Sequence, residues 1–201
     1  MMRLLAATGN KHKLEEIREI LAPHGFEILG AADVGGLPEV VEDRDSFEGN
    51  AMKKALETAI AKGCPCLADD SGLEVDSLGG APGIYSARYA GIQGDNAANR
   101  QKLLQELADR RDRRAHFTCV IAVATPQGPL GTVRGEVQGR IIESERGTGG
   151  FGYDPLFIPD GYDRTFAELP GEVKHALSHR GNALRAALAA GLFKRLDPTS
   201  T

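Results

Sequence analysis

Four polar segments of the sequence combine residue types that bind phosphates, metal ions or nucleotide bases. The first is Thr8-Gly9-Asn10, which follows a short apolar run and precedes a predicted helix with Lys13 in its first turn. A helix N-terminus presents unpaired N–H groups and a partial positive charge, which favour a phosphate. The segment also fits an ordinary strand-to-helix connection with Asn10 as the N-cap, and both interpretations stay open. No Gly-Lys-Ser/Thr occurs, which excludes a P-loop NTPase.

The second segment is Asp69-Asp70-Ser71-Gly72, at the end of another apolar run. Adjacent carboxylates at such a position can bind Mg²⁺ and position a water molecule. The same residue types also favour a tight turn without any function. The acidic loop before this segment supplies Glu42 and further carboxylates, of which one or two at most are expected to take part.

The third segment, residues 147–155, contains a literal Gly-x-Gly-x-x-Gly pattern. Asp154-Pro155 prevents a helix from opening there, so we reject a dinucleotide-binding turn. A bent loop that presents Phe151 and Tyr153 is expected instead. Their rings either stack on a base, which typically contributes ~1–3 kcal/mol, or pack inward.

The fourth segment, residues 174–181, places Lys174, His179 and Arg180 around Ser178. Ser178 is a plausible N-cap of the last helix. Cations in the first turn of a helix oppose its dipole, so a ligand bearing an anionic group or a carbonyl would explain them. An exposed basic turn is the alternative.

Composition limits the function classes. The 201 residues carry 24 basic and 28 acidic side chains, a net charge of −4, which argues against non-specific nucleic-acid binding. The three cysteines, an odd number, are expected to be reduced thiols of a cytoplasmic protein. No apolar run approaches the roughly 18 residues of a membrane span, so no membrane association is expected.

The elements that position these segments follow from apolar spacing. Strands are predicted at 3–7, 26–29, 66–68 and 116–124, with one or two more in 130–143. Helices are predicted from the residues after Asn10 to about Leu21, and over 50–62, 95–110 and 178–196. The turn-rich stretch 73–94 is long enough to suggest a functional loop, and its residues 78–94 could serve an interface as easily as the wall of a cleft. A single domain over 1–196 is expected, followed by a disordered tail at 197–201.

Taken together and in this order, the segments resemble the inosine triphosphatase family, the non-canonical purine NTP pyrophosphatases or dITP/XTP pyrophosphatases. The resemblance runs from about Leu4 to Leu192. It is carried by six segments: Thr8-Gly9-Asn10-x-x-Lys13, Ser46-Phe47-Glu48-Gly49-Asn50-Ala51, residues 68–75, residues 79–89, residues 149–155 and Lys174-x-x-x-Ser178-His179-Arg180.

The resemblance implies an α/β fold, with an elongated, curved mixed β-sheet flanked by helices and two lobes around a central cleft. It also implies a homodimer that uses Mg²⁺ to split ITP, dITP or XTP into the monophosphate and pyrophosphate. It assigns Glu42 and Asp70 to the metal, and Asp70 to water activation. The substrate-binding residues that it implies are Thr8, Gly9, Asn10, Lys13, Ser71, Phe151, Gly152, Tyr153, Asp154, Lys174, His179 and Arg180.

Base selection follows from hydrogen bonding. Hypoxanthine and xanthine carry an acceptor oxygen at C6, to which His179 and Arg180 can donate, whereas adenine carries a donor there. Arg180→Ala is therefore expected mainly to erode selectivity for 6-oxo purines, and Asp70→Asn to abolish turnover. Guanine also has this oxygen, so donation to C6 does not exclude GTP.

The chain departs from the family pattern at Gly49, where many relatives have Glu, and at Val41, where some have a second acid. Both departures weaken the assignment of the metal to Glu42. Two alternatives remain: a Maf-like pyrophosphatase of different base specificity, and a non-catalytic nucleotide-binding protein.

Overall fold

A computed structural model describes residues 1–196, so the tail predicted at 197–201 lies outside the described residues. The strands are β1 Met2–Ala6, β2 Phe26–Leu29, β3 Cys66–Val75, β4 Arg114–Thr125, β5 Gly128–Ile141 and β6 Phe157–Pro159. The α-helices are α1 Lys11–Leu21, α2 Phe47–Lys62, α3 Asn96–Glu106, α4 Gly171–Leu177 and α5 His179–Ala189.

The six strands form one mixed sheet in the order β2-β1-β3-β4-β5-β6. β1 pairs in parallel with β2 and with β3, whereas β5 and β6 are antiparallel. The predicted class of a mixed α/β sheet flanked by helices is therefore confirmed. Among residues 1–196, no helix is both long and apolar enough to span a bilayer.

The chain divides into two compact units. The first contains residues 1–70, 119–135 and the described chain from Arg180 onward. Its core joins one face of α1 to the central strands and α5. The buried members are Leu4, Ala6, Ile17, Leu21, Ile28, Leu67, Cys119, Ile121, Val123, Ala183, Leu184, Ala187, Leu192 and Phe193.

The second unit contains residues 71–118 and 136–179. Its core includes Phe117, Phe157 and Phe166, whose rings pack against one another. The other buried members are Leu73, Val75, Leu103, Leu107, Ala115, Ile141, Tyr153 and Leu156.

Two predicted elements differ from the observed ones. The strand predicted at 66–68 continues to Val75, so Asp69-Asp70-Ser71-Gly72 lies within β3 rather than in a turn. The last predicted helix, 178–196, is wrong at its C-terminal end. α5 ends at Ala189, Gly191 adopts a left-handed conformation with φ +64°, and a short 3₁₀ turn follows over Leu192–Leu196.

Candidate functional site

The first segment forms a capped helix start. The Asn10 side-chain oxygen accepts from the backbone N–H groups of His12 and Lys13, at 3.0 and 3.3 Å. The Thr8 hydroxyl accepts from the Asn10 N–H at 3.1 Å, and Gly9 is exposed. The interpretation of Asn10 as the N-cap is confirmed, and phosphate binding at Thr8, Gly9, Asn10 and Lys13 stays a prediction.

A buried network of alternating charges joins α1, β3 and α5 in the first unit. Lys13 Nζ lies 3.3 Å from Asp69 Oδ1, and Arg180 donates from Nε and Nη2 to Asp69 Oδ2 at 3.0 and 2.9 Å. The same guanidinium donates from Nη1 to Glu16. The side chains of Arg180 and Asp69 are each 1% exposed, so this network lies in the interior.

The network explains why Arg180 can occupy the first turn of α5, where its positive charge opposes the helix dipole. The anionic partners of Arg180 are carboxylates of the protein itself, which compensate the guanidinium where the helix dipole does not. The alternative of an exposed basic turn is wrong, because His179 and Arg180 are both buried. Donation from Arg180 to the base stays a prediction, and in this structure the guanidinium is directed to Asp69 and Glu16.

The network also fixes the ionisation of Asp69. Burial alone would raise the pKa of Asp69, but the charges of Lys13, Arg180 and Lys54 outweigh it and hold the pKa below its usual range. Asp69 is therefore a permanently charged anchor for Lys13 and Arg180.

Asp70 lies in a different environment, although it is the next residue of β3. Burial raises the pKa of Asp70 to about 6, and the ammonium groups of Lys54 and Lys13 oppose this only in part. Lys54 Nζ donates to Glu42 Oε1 at 2.7 Å and lies 3.7 Å from Asp70 Oδ1. The structure thus brings the two predicted metal ligands, Glu42 and Asp70, to one ammonium group.

Mg²⁺ binding by this acidic pair stays a prediction, and the side chains present can be compared with what the ion requires. Asp70 Oδ2 is buried and has no hydrogen-bond partner among residues 1–196. Within the same residues, no group of three or more His, Cys, Asp or Glu could hold a metal ion. Mg²⁺ commonly takes only one or two carboxylates and completes its shell with water and substrate phosphates, so the residues present fit this ion.

Gly49, where the family pattern has Glu, lies at the start of a helix whose local packing favours glycine. Gly49 is the third residue of α2, and its N–H donates to the Ser46 hydroxyl at 3.2 Å. Glu at this position would complete a capping box, a helix-stabilising role that does not need a metal. Here an added Cβ would lie 2.8 Å from Arg44 Cβ, and Glu48 pairs with Arg134 at 3.1 Å.

The second unit contains the other predicted binding residues. Asp154 Oδ2 accepts from the Phe151 N–H and from Lys174 Nζ, both at 2.8 Å. Lys174 Nζ also lies 4.9 Å from the centre of the Phe151 ring, a cation–π contact. Gly150, with φ +69°, packs so closely that any Cβ would collide with the Asp154 carboxylate. A tight loop therefore carries Phe151 and Asp154, and Lys174 of α4 packs against both.

The expectation that the loop presents both the Phe151 and the Tyr153 ring is wrong for Tyr153, which packs inward. Its ring is 4% exposed within the core, and its hydroxyl donates to the Ser86 carbonyl at 2.9 Å. Phe151 and Gly152 are half-buried, as is Ser71 on β3. The His179 ring stacks on Phe117 with centroids 4.8 Å apart. Substrate binding by these residues stays a prediction.

Sequence reasoning missed Glu16 and Lys54. Glu16 lies three residues after Lys13, a spacing that places both on one face of α1. Lys54 interrupts the apolar face of α2 and is mostly buried there. A charged residue on the inner face of a predicted helix was the available signal in both cases.

Comparison with known proteins gives a consistent result. Residues 4–190 match the model of the Ham1 family. The chain is 52% identical to a dITP/XTP pyrophosphatase of Desulfotalea psychrophila, covering 90% of this chain and 81% of that protein. It is 46% identical to the dITP/XTP pyrophosphatase of Bacillus subtilis, covering 92% and 94%. The solved HAM1 protein of Coxiella burnetii is 39% identical with a TM-score of 0.85, covering 96% and 100%.

Proposed function

The chain belongs to the Ham1 family, and from that premise we propose that it hydrolyses dITP, ITP and XTP to the monophosphate and pyrophosphate. The reaction consumes one water molecule and breaks the anhydride bond between the α- and β-phosphates. The observation that carries the proposal is Asp70, a buried carboxyl whose oxygen Oδ2 has no partner among the described residues. Relatives named for this activity support it over about nine-tenths of the chain.

Asp70 is the proposed general base. A group accepts a proton from water best when its pKa lies near the working pH, and in the protein without metal burial raises the pKa of Asp70 to about 6. Asp69 is unsuited to this role, because Lys13 and Arg180 keep it ionised and occupied. We assign Asp69 to positioning Lys13, whose ammonium binds the triphosphate.

We propose Mg²⁺ as the cofactor, held by Glu42 and Asp70. When bound, the ion neutralises phosphate charge and lowers the pKa of coordinated water. The carboxylate oxygens of this pair and the buried Oδ2 of Asp70 support the assignment.

Base recognition is assigned to the second unit. Phe151 offers a half-buried ring for stacking, and Asp154 holds the Lys174 ammonium beside it. His179, held against Phe117, supplies a donor for the C6 oxygen of hypoxanthine or xanthine. Adenine presents a donor at this position, and rejection through unpaired buried groups can reach ~10⁴-fold.

The test is a turnover assay with ITP, XTP, GTP, ATP and TTP, each with and without Mg²⁺, with identification of the products. We expect pyrophosphate from ITP and XTP in the presence of Mg²⁺, with ATP nearly inert. Asp70→Asn is expected to be inactive, and the exposed Asp109→Asn serves as the matched control.

Three outcomes would overturn the proposal in different ways. Orthophosphate as the first product would refute the bond assignment. Activity on TTP above that on ITP would favour a Maf-like specificity. Tight nucleotide binding without turnover at any divalent metal would favour a non-catalytic binding protein.

We further propose a homodimer in the cytoplasm. Tyr85 and Ile92, within the turn-rich stretch 73–94, are 56% and 68% exposed and offer apolar surface to a second copy. Light scattering of the purified protein tests the dimer, and a mass of one chain at micromolar concentration would refute it.

A further inference from the structure

Lys54 is held in place by three contacts within the first unit. Its ammonium donates to Glu42 Oε1 at 2.7 Å and to the Asp69 carbonyl at 2.9 Å, and it lies 3.7 Å from Asp70 Oδ1. The side chain is only 15% exposed, so these contacts fix its position. The nitrogen therefore lies beside both acids of the proposed magnesium site.

Lys54 brings one positive charge to the two acids. Its ammonium lies 2.7 Å from a Glu42 oxygen and 3.7 Å from an Asp70 oxygen. A compact cation that contacts both carboxylates repels a second cation approaching the same oxygens.

We propose that Lys54 is the resident counter-ion of the Glu42–Asp70 pair, and that its ammonium competes with Mg²⁺ for these carboxylates in the nucleotide-free protein. This inference rests on the proposed function, because it takes the pair as the metal ligands. It predicts that the free protein binds Mg²⁺ weakly, and that neutralising Lys54 strengthens the binding.

The neighbouring lysine provides a matched control. Lys53 lies on the same helix with the same 15% exposure of its side chain, but its ammonium contacts Asp43 at 2.8 Å and Glu57 at 4.0 Å. These acids lie outside the proposed metal pair. Loss of the Lys53 charge therefore changes the net charge of the protein equally, without removing a competitor.

The experiment is calorimetric titration of Mg²⁺ into nucleotide-free wild-type protein, Lys54→Met and Lys53→Met. Lys54→Met is expected to lower the Mg²⁺ dissociation constant at least tenfold, which corresponds to about 1.4 kcal/mol. Lys53→Met is expected to stay within twofold of wild type. Thermal unfolding provides a second readout, because a ligand that binds the folded state more tightly raises the melting temperature more. Mg²⁺ should therefore stabilise Lys54→Met more than wild type.

An unchanged or higher dissociation constant in Lys54→Met would overturn the inference. If Lys54→Met does not fold, Lys54→Gln replaces it, because its amide retains a donor for the Asp69 carbonyl. If turnover requires Mg²⁺ but wild type and Lys54→Met bind Mg²⁺ equally, this inference is refuted and the proposed function stands. Metal-independent turnover, with no Mg²⁺ binding at millimolar concentration in either protein, refutes both the proposed cofactor and this inference.

Discussion

Replacing Arg180 with alanine tests the buried charge network most directly. The change removes the hydrogen bonds that the guanidinium donates to Asp69 and Glu16, and leaves both carboxylates in the interior without it. Breaking a buried ion pair by removing one partner typically costs about 3–5 kcal/mol, because the remaining charge is uncompensated. For a chain of this size each kcal/mol lowers the melting temperature by about 2–4 °C, so a decrease of roughly 6–20 °C is expected. The sequence alone had predicted mainly a loss of base selectivity.

The assay is urea unfolding followed by circular dichroism, with the free energy of unfolding extrapolated to water. Arg185→Ala, an exposed arginine on the same helix, is the control and should stay within about 0.5 kcal/mol of wild type. Glu16→Gln combined with Arg180→Leu should be more stable than Arg180→Leu alone, because one uncompensated carboxylate is removed. A loss below about 1 kcal/mol in Arg180→Ala would show that the network is not a stabilising buried cluster.

Three further changes have defined outcomes. Asp70→Asn should abolish turnover of ITP but equal or exceed wild-type stability at pH 8. A carboxyl whose pKa is raised by burial to about 6 opposes folding when ionised, and a less stable variant would contradict this. Lys174→Met should lower the free energy of unfolding in urea by about 3 kcal/mol, because Asp154 loses its buried partner at 2.8 Å; a loss equal to that of exposed Lys11→Met would contradict it. An aromatic disulfide reagent at pH 8 should label Cys64 quickly, and the two buried thiols only after unfolding. Burial raises the pKa of Cys66 to about 12, so rapid labelling of all three would refute its inert character.

Local sequence signals predicted the elements whose ends are set by local chemistry. α1 begins after Asn10, whose side chain caps it, and β2 occupies the predicted residues 26–29. α2 begins three residues earlier than predicted, because Ser46 caps the helix and Phe47 is buried in its first turn. Apolar spacing located the helix but did not distinguish the cap from the polar loop before it.

The sequence prediction failed where contacts between residues far apart in the chain determine the structure. Asp69-Asp70-Ser71-Gly72 has turn-forming residue types, but Asp69 is compensated inside the protein by Lys13 and Arg180. Arg180 is 111 residues away in the chain, so no local pattern shows this partner. For the same reason the sequence marked Arg180 as a ligand-facing cation, whereas its partners include Glu16, 164 residues away.

The contrast between Asp69 and Asp70 explains how adjacent residues of one strand can have separate roles. Successive side chains of a strand point to opposite faces, so the two carboxyls meet different neighbours. Lys13 and Arg180 keep Asp69 ionised, whereas burial raises the pKa of Asp70 to about 6. Two carboxyls with pKa values pushed apart can divide the work of anchoring and proton transfer. Without metal, the pKa of Asp70 lies closer to neutral pH than that of Asp69, and its Oδ2 has no partner among the described residues, so we prefer Asp70 as the proposed base.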